Sequence, residues 1–265
     1  MFDLNRIDFE KVIGIVKDAA RIFRDDTAAG HVTTKGLSDY VTEVDTAVQK
    51  QITKELSLLY PDIQMMGEEK DNSTIDFSRP AWILDPVDGT TNLIHRFPGS
   101  CISLGLSCGC EIIAGIVYDP YRDELFFARK GSGASLNGVP IHVRSSSTLS
   151  QSLISTGTSP YYHEYSDRVF FDMKNVFLRA QDIRRIGSAA IELCYIACGR
   201  LDAFFEMMLK PWDFAAGHII LQEAGGRITT YEGAPLSPER ASSIVATNAL
   251  IHDELLKVLQ LPMEG

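Results

Sequence analysis

Two aspartates three residues apart, Asp85 and Asp88, close an apolar run in the stretch Trp82-Ile83-Leu84-Asp85-Pro86-Val87-Asp88-Gly89-Thr90-Thr91-Asn92. A strand ending here delivers both acids to its carboxyl end, with Pro86 stiffening the turn so that they face one pocket. Carboxylates this close repel each other. A hard divalent cation such as Mg2+, which takes carboxylate and carbonyl oxygens, relieves that repulsion. Gly89 and Thr90 then offer free backbone N–H groups at a helix start, where the helix dipole favours an anion. A cation site beside an anion site points to phosphate chemistry. Asp-Pro and Asp-Gly are also common turn formers, so the stretch by itself reads equally as a loop.

Three further acids follow strands or open helices. Glu68 comes directly after an extended segment at 63–66, Asp45 falls in the first turn of a helix expected over 42–59, and Asp213 follows Pro211 at the start of another helix. Each has an ordinary explanation: Glu68 opens a solvated loop with Glu69, Lys70 and Asp71 as surface charge, Glu43 and Asp45 compensate a helix dipole, and Asp213 is an N-cap or first-turn acid. Their common placement at element ends is what suggests a site.

The elements that must position these acids can be read from hydrophobic spacing. Val12, Ile15, Val16, Ala19, Ala20, Ile22 and Phe23 predict an amphipathic helix over 8–28; residues 35–45 read as a turn and short extended segment, and Pro61 stops the second helix. Strands are expected at 100–106, 111–118 and 124–128. The nearly apolar stretch from Cys101 to Tyr118 fits two buried strands joined near Cys108-Gly109-Cys110 better than a membrane helix. Gly131-Ser132-Gly133-Ala134 lacks the spacing of a phosphate loop. The polar run at 144–148 divides the chain into an N-terminal half, 1–145, carrying most of the acids, and a C-terminal half, 146–265. The second half reads as strand 152–156, helix 163–178, strand 182–185, helix 187–198, strand 201–206, helix 211–224, strands 227–231 and 243–247, and helix 248–259.

Composition sets outer bounds. The 265 residues, 45% hydrophobic and 23% charged, are enough for a large core. A net charge of −10 argues against a general binder of nucleic acid or anionic membrane, which needs a basic face, while a bound cation still allows a phosphorylated substrate. Five cysteines without a C-x-x-C pair fit neither a disulfide framework nor a zinc site, and no secretory signal is visible, so a reduced, cytoplasmic protein is expected. The six histidines show no paired metal-ligand spacing.

Taken in order, several segments resemble the inositol monophosphatase family of Mg2+-dependent, lithium-sensitive phosphatases. Gly67-Glu68-Glu69, the stretch from Trp82 to Asn92, and Pro211-Trp212-Asp213-Phe214-Ala215-Ala216-Gly217 match its signatures; Asp39-Tyr40-Val41-Thr42-Glu43-Val44-Asp45 and Gly187-Ser188-Ala189-Ala190 match subsidiary segments. The resemblance spans almost the whole chain. It implies an α/β fold of the layered αβαβα sandwich type, usually dimeric. It implies that Glu68, Asp85, the Val87 carbonyl, Asp88 and Asp213 hold two or three Mg2+ ions, with Mn2+ as a possible substitute. Asp45 and Thr90 then activate water, the amides of Gly89 and Thr90 grip the phosphate, and Glu206, with Gly187, Ser188 and Ala189, lines the substrate pocket. The implied reaction is direct hydrolysis of a phosphate monoester by activated water, without a covalent phospho-enzyme.

The substrate is a narrower question. A carboxylate at Glu206 accepts hydrogen bonds from vicinal hydroxyls, which favours a polyol and places inositol monophosphate first. Lys210 and the Arg184-Arg185 pair could instead read a second phosphate, as in fructose 1,6-bisphosphate or a bisphosphate nucleotide, and histidinol phosphate is a further alternative. Arg184 and Arg185 also read as surface or dimer contacts, and Lys210 as a companion of the Trp212 ring. A protein that keeps the fold but works by binding a macromolecule is the alternative of another class.

Overall fold

The computed structural model describes residues 2–24, 32–36 and 39–263. Asp8 starts α1 (Phe9–Ala19) by accepting from the Lys11 N–H at 3.2 Å. The helix is shorter than its apolar spacing suggested. From Ala20 to Arg24 the backbone winds into a 3-10 turn, which keeps Ala20 and Phe23 in the core with Ala19; residues 25–28 lie outside the described residues. Strands β1 (Val32–Gly36) and β2 (Asp39–Thr42) pair antiparallel; β2 lies in the short extended segment expected within 35–45, and Leu37 and Ser38 lie outside the described residues. Thr42 caps α2 (Glu43–Leu59), which ends just before Pro61, as expected.

The first large sheet is formed by β3 (Gln64–Gly67), β4 (Ala81–Asp88), β5 (Cys101–Cys108), β6 (Glu111–Asp119), β7 (Glu124–Arg129), β8 (Ala134–Leu136) and β9 (Val139–Ile141), in that spatial order; only β3 and β4 run parallel. The apolar stretch is the β5–β6 hairpin, turning at Gly109 and Cys110. Strands β8 and β9, three residues each, are too short to show a period and were not expected. Between β4 and β5 lies the short α3 (Thr90–Ile94).

The second sheet takes β10 (Leu153–Thr156), β11 (Asp182–Arg184), β12 (Ala203–Leu209), β13 (Arg227–Thr229) and β14 (Ser242–Thr247) in the order β11-β10-β12-β14-β13. With them come α4 (Ser166–Phe177), α5 (Ala189–Ala197), α6 (Pro211–Glu223) and α7 (His252–Leu259). Two expectations are corrected here. Strand β12 runs past Glu206 to Leu209, so Glu206 sits inside a strand. Helix α7 begins at His252 and not at 248, because the Asn248 side chain accepts from the amides of Leu250 and Ile251 at 3.1 and 3.4 Å and holds those residues in a turn.

Side-chain alternation assigns the layers. Trp82, Leu84, Ile102, Leu104 and Leu106 face α1 and α2, while Cys101, Val117 and Phe126 face α5 and α6. Neighbours Phe204 and Phe205 in β12 point to opposite sides, the first toward α5 and α6, the second toward α4 and α7. The result is a five-layer αβαβα sandwich with α5 and α6 between the sheets. Helix α6 lies so close to β6 that a Cβ on Gly115 would stand 2.5 Å from the Ala216 carbonyl oxygen. That contact fixes where the start of α6, and Asp213 with it, meets the end of β4. Among the described residues no helix is long and apolar enough to cross a membrane.

Candidate active site

In a regular strand, residues three apart face opposite sides. Strand β4 avoids this with an irregularity: Asp85 pairs with Ser103 and Asp88 with Cys101, so three steps along β4 match two along β5. The extra residue is a bulge at Pro86-Val87, which resets the pleat and brings both acids to one side. Pro86 has no N–H to lose there. The Val87 N–H donates to Asp85 Oδ1 at 2.9 Å and holds the bulge. The strand runs through Asp85 and ends on Asp88, so both acids lie at its carboxyl end as expected.

The remaining acids arrive from three directions. Parallel pairing of β3 and β4 continues one residue beyond β3 through the Glu68 N–H and the Leu84 carbonyl at 3.2 Å, which sets Glu68 beside Asp85. Asp213, in the first turn of α6, accepts from the Lys210 N–H through Oδ2 at 2.6 Å. Asp45 forms a capping box with Thr42, and its other oxygen accepts from the Thr90 hydroxyl at 3.0 Å. The same hydroxyl lies 3.1 Å from the Val87 carbonyl oxygen. Asp88 Oδ2 accepts from the Ser188 hydroxyl at 2.7 Å and the Ala190 N–H at 2.6 Å, so the start of α5 is seated on this carboxylate. Sequence reasoning placed Ser188 in the pocket lining but missed this contact.

The electrostatics of the cluster follow from burial without neutralisation. Asp85 is pushed well above the usual carboxylate range, first by burial and then by Glu68, Asp88, Asp213 and Asp45. Burial raises Asp88 to about 6 against the opposing hydrogen bonds from Ser188 and the α5 amides. Asp213 is raised by burial, then by Asp88 and Glu68; Asp45 is raised by burial. Protons or a cation must offset such a group.

The donor set fits a hard cation. Asp85, Asp88 and Asp213 each commit one oxygen to the hydrogen bonds named above, while the other takes none from the described residues. Among the described residues, however, no three His, Cys, Asp or Glu side chains are already drawn into a closed ligand group. The acids are electrostatic neighbours, each held from behind.

Next to them is a place for an anion. Gly89 initiates α3 at φ +97°, a conformation that disfavours a side chain, and a Cβ there would meet the Gly99 carbonyl oxygen at 2.9 Å. No side chain caps α3, leaving its first amides available. Asn92, in the same helix, donates to the carbonyls of Gly99 at 2.8 Å and Ile186 at 3.0 Å, tying α3 to the segment before α5. No sequence signal reveals this tie, because its partners are backbone groups.

Glu206 is brought to this region by β12, beside the segment 157–162. It accepts from the Ser159 N–H at 2.7 Å, and burial raises it to about 7, opposed by that bond and by Arg185. A Cβ on Gly157 would stand 1.8 Å from its carboxylate, so only glycine allows the approach. A second buried acid, Glu192, was not anticipated; it accepts from the Ile186 N–H at 3.1 Å and is raised by burial and by Glu206. Lys210 lies over the Tyr162 ring, 5.8 Å from its centroid, rather than with Trp212. The glycine-rich turn donates the amides of Gly131 and Gly133 to Glu223, each at 2.8 Å, so its anion is a carboxylate of this chain.

Known proteins resemble the chain over most of its length. A family model described as the inositol monophosphatase family matches residues 5–262. Inositol monophosphatase 1 of Solanum lycopersicum is 37% identical over 262 residues, 95% of this chain and 96% of the relative. The Nus factor SuhB of Xylella fastidiosa is 40% identical over 204 residues, 77% of this chain and 74% of the relative. The crystal structure of the extragenic suppressor protein suhB from Bartonella henselae superposes with a TM-score of 0.90 at 34% identity, covering 97% of this chain and all of that one. With a match that runs nearly end to end, the chain belongs to the inositol monophosphatase family.

Proposed function

We propose that this phosphoric monoester hydrolase acts on inositol monophosphate or a closely similar polyol phosphate, depends on Mg2+, and uses water directly as the nucleophile. The observation that carries the reading is the surroundings of Asp85: Glu68, Asp88, Asp213 and Asp45 all raise its pKa, beside a helix start that no side chain caps. Glu68, Asp85, Asp88, Asp213 and the Val87 carbonyl are the groups that would hold two or three Mg2+ ions, or Mn2+ in their place. Divalent cations held there would supply Lewis-acid stabilisation of the phosphoryl oxygens and acidify water near neutral pH.

The chain's own groups supply the remainder. Thr90 donates its hydroxyl proton toward Asp45, so a lone pair on Oγ1 is free to accept a proton from the attacking water. Asp45, made more basic by burial, is suited to take the relayed proton. The first amides of α3 orient the phosphate, and Glu206 accepts hydrogen bonds from ring hydroxyls of the leaving group. Water adds at phosphorus as one of its protons passes through Thr90 to Asp45, the ester P–O bond breaks, and the alkoxide takes up a proton from solvent, to which Asp45 returns its own; no side chain bonds to phosphorus. The homodimer is part of the same proposal, with sedimentation as its check.

Phosphate release from a panel of inositol, sugar, nucleotide and histidinol phosphates tests the reading, with Mg2+, with EDTA and with added Li+. The expected outcome is Mg2+-dependent release, greatest with inositol monophosphate. No release from any of them would overturn the reading in favour of a binding role, the direction suggested by the Nus factor name of one relative.

A further inference from the structure

Helix α5 carries a buried acid that no step of the proposed reaction uses. Glu192 lies four residues after the N-cap Ser188 and is 1% exposed, in a helix whose other buried side chains are apolar or thiol. Burial, and then the neighbouring Glu206, push its carboxyl well above the usual range. A buried acid so disfavoured as an ion serves through its hydrogen bonds and not through its charge. The bond it makes leaves the helix: Glu192 Oε1 accepts from the Ile186 N–H at 3.1 Å, six residues back. Its own N–H donates to the Ser188 carbonyl at 3.0 Å, so side chain and backbone together close the entry to α5.

Ile186 is held from the opposite side as well. Its carbonyl accepts from Asn92 Nδ2 at 3.0 Å, and Asn92 belongs to α3, whose first amides face the place for the phosphate. Gly187 follows at φ +91°, a conformation that gives the turn no stiffness of its own, so its course depends on the bonds to the residue before it. The Gly187 carbonyl oxygen stands 3.2 Å from where a Cβ on Gly89 would be, against the start of α3. One residue later Ser188 accepts from the Ile191 N–H at 3.3 Å and donates to Asp88 at 2.7 Å, and the Ala190 N–H reaches the same carboxylate at 2.6 Å. Residues 186–190 therefore run from the anion place to a cation-holding acid, with Glu192 and Asn92 gripping the first peptide of the run.

We propose that Glu192 is a positioning residue for turnover: by accepting from Ile186 it fixes the Gly187 turn, and through it the wall of the pocket beside α3 and the seat of α5 on Asp88. This inference rests on the phosphatase reading above.

Two variants separate reach from charge. Glu192→Gln keeps an acceptor at the same distance and gives up the acid; Glu192→Asp keeps the acid and withdraws it by one methylene. Phosphate release from inositol monophosphate is followed for each over a range of Mg2+. Glu192→Gln is expected to keep kcat and KM to within about threefold, because its amide oxygen still accepts from Ile186. Glu192→Asp is expected to lose about tenfold or more in kcat/KM, the size of one lost buried hydrogen bond. Its Mg2+ concentration for half-activation is expected to rise about threefold or more, since a displaced α5 start holds Asp88 less well. Val176→Ala, a cavity in the layer between α4 and α7, lowers the urea midpoint but leaves KM and half-activation unchanged. A wild-type Glu192→Asp, a Glu192→Gln as impaired as Glu192→Asp, or the same losses in Val176→Ala would overturn the role of Glu192. Absence of phosphate release by the unaltered protein with Mg2+ would overturn the phosphatase reading, and the role in turnover with it.

Discussion

Replacing Asp88 by asparagine separates what this carboxylate does for the fold from what it does for the chemistry. The change is isosteric, and the side-chain oxygen still accepts from Ser188 and Ala190, so α5 stays seated. What disappears is a buried charge. Asp88 is raised from 3.8 to about 6, roughly two pK units, which corresponds to about 3 kcal/mol between its ionised and neutral forms. The sign is that of an acid raised on folding: its contribution is fully present below 3.8 and is lost as pH rises through about 6. At pH 8 without metal the wild-type fold carries that cost and Asp88→Asn does not. The variant is therefore expected to be more stable in EDTA at pH 8 by up to about 3 kcal/mol, less whatever the weaker neutral hydrogen bonds lose. For a chain of this size each kcal/mol is about 2–4 °C in Tm. Below pH 4 the gap should close. With saturating Mg2+ the order should reverse, because only the wild type gains fully from binding. Turnover should fall on the order of a thousandfold, the scale of several kcal/mol of lost transition-state stabilisation. Urea denaturation across pH 3–8, in EDTA and separately in saturating Mg2+, with kcat measured in Mg2+, reads all of this. A variant less stable than wild type in EDTA at pH 8 would refute the view that unneutralised repulsion dominates the site, and near-wild-type kcat would remove Asp88 from the metal-holding set.

Other perturbations probe separate parts of the structure. Thr90→Val removes the hydroxyl between Asp45 and the Val87 carbonyl; kcat should fall about a hundredfold or more with little change in Mg2+ activation, and Thr90→Ser should recover most of it in the same assay. Gly115→Ala drives a methyl into the Ala216 carbonyl, so urea denaturation should show a loss of about 1–3 kcal/mol and kcat should drop as Asp213 shifts with α6. Buried His252 lies between the Thr229 and Thr247 hydroxyls at 2.9 and 3.0 Å, and burial lowers it to about 4. Its contribution is present above 6.5 and is lost as pH falls through about 4, so His252→Gln should flatten the acid limb of stability; an unchanged limb would show that His252 does not set it.

What could be read in advance, and what could not, divides along the distance in sequence over which a contact forms. The acids at 45, 85, 88 and 213 announce themselves because each lies within three residues of a turn, cap or proline that fixes its backbone, and local chemistry is visible in a local window. Most of the longer helices and strands follow similarly from periodic apolar runs, while their layering came only with the family resemblance, and β8 and β9, three residues each, leave no period to detect. The bulge at Pro86-Val87 depends on the register of β4 against β5, a non-local fact, although a proline inside an apolar strand was a hint of it. Asn92 and Ser188 were present in recognisable segments, yet their partners lie 94 and 100 residues away, and Ser159 reaches Glu206 across 47. Glu192 looked like one more polar residue on a helix until the fold closed both sheets over α5 and left it 1% exposed. These contacts share one property: each joins a group of the proposed site to a segment distant from it in sequence. Reading the first kind requires only residue chemistry, and reading the second requires the fold, which is why the acids were found and their supports were not.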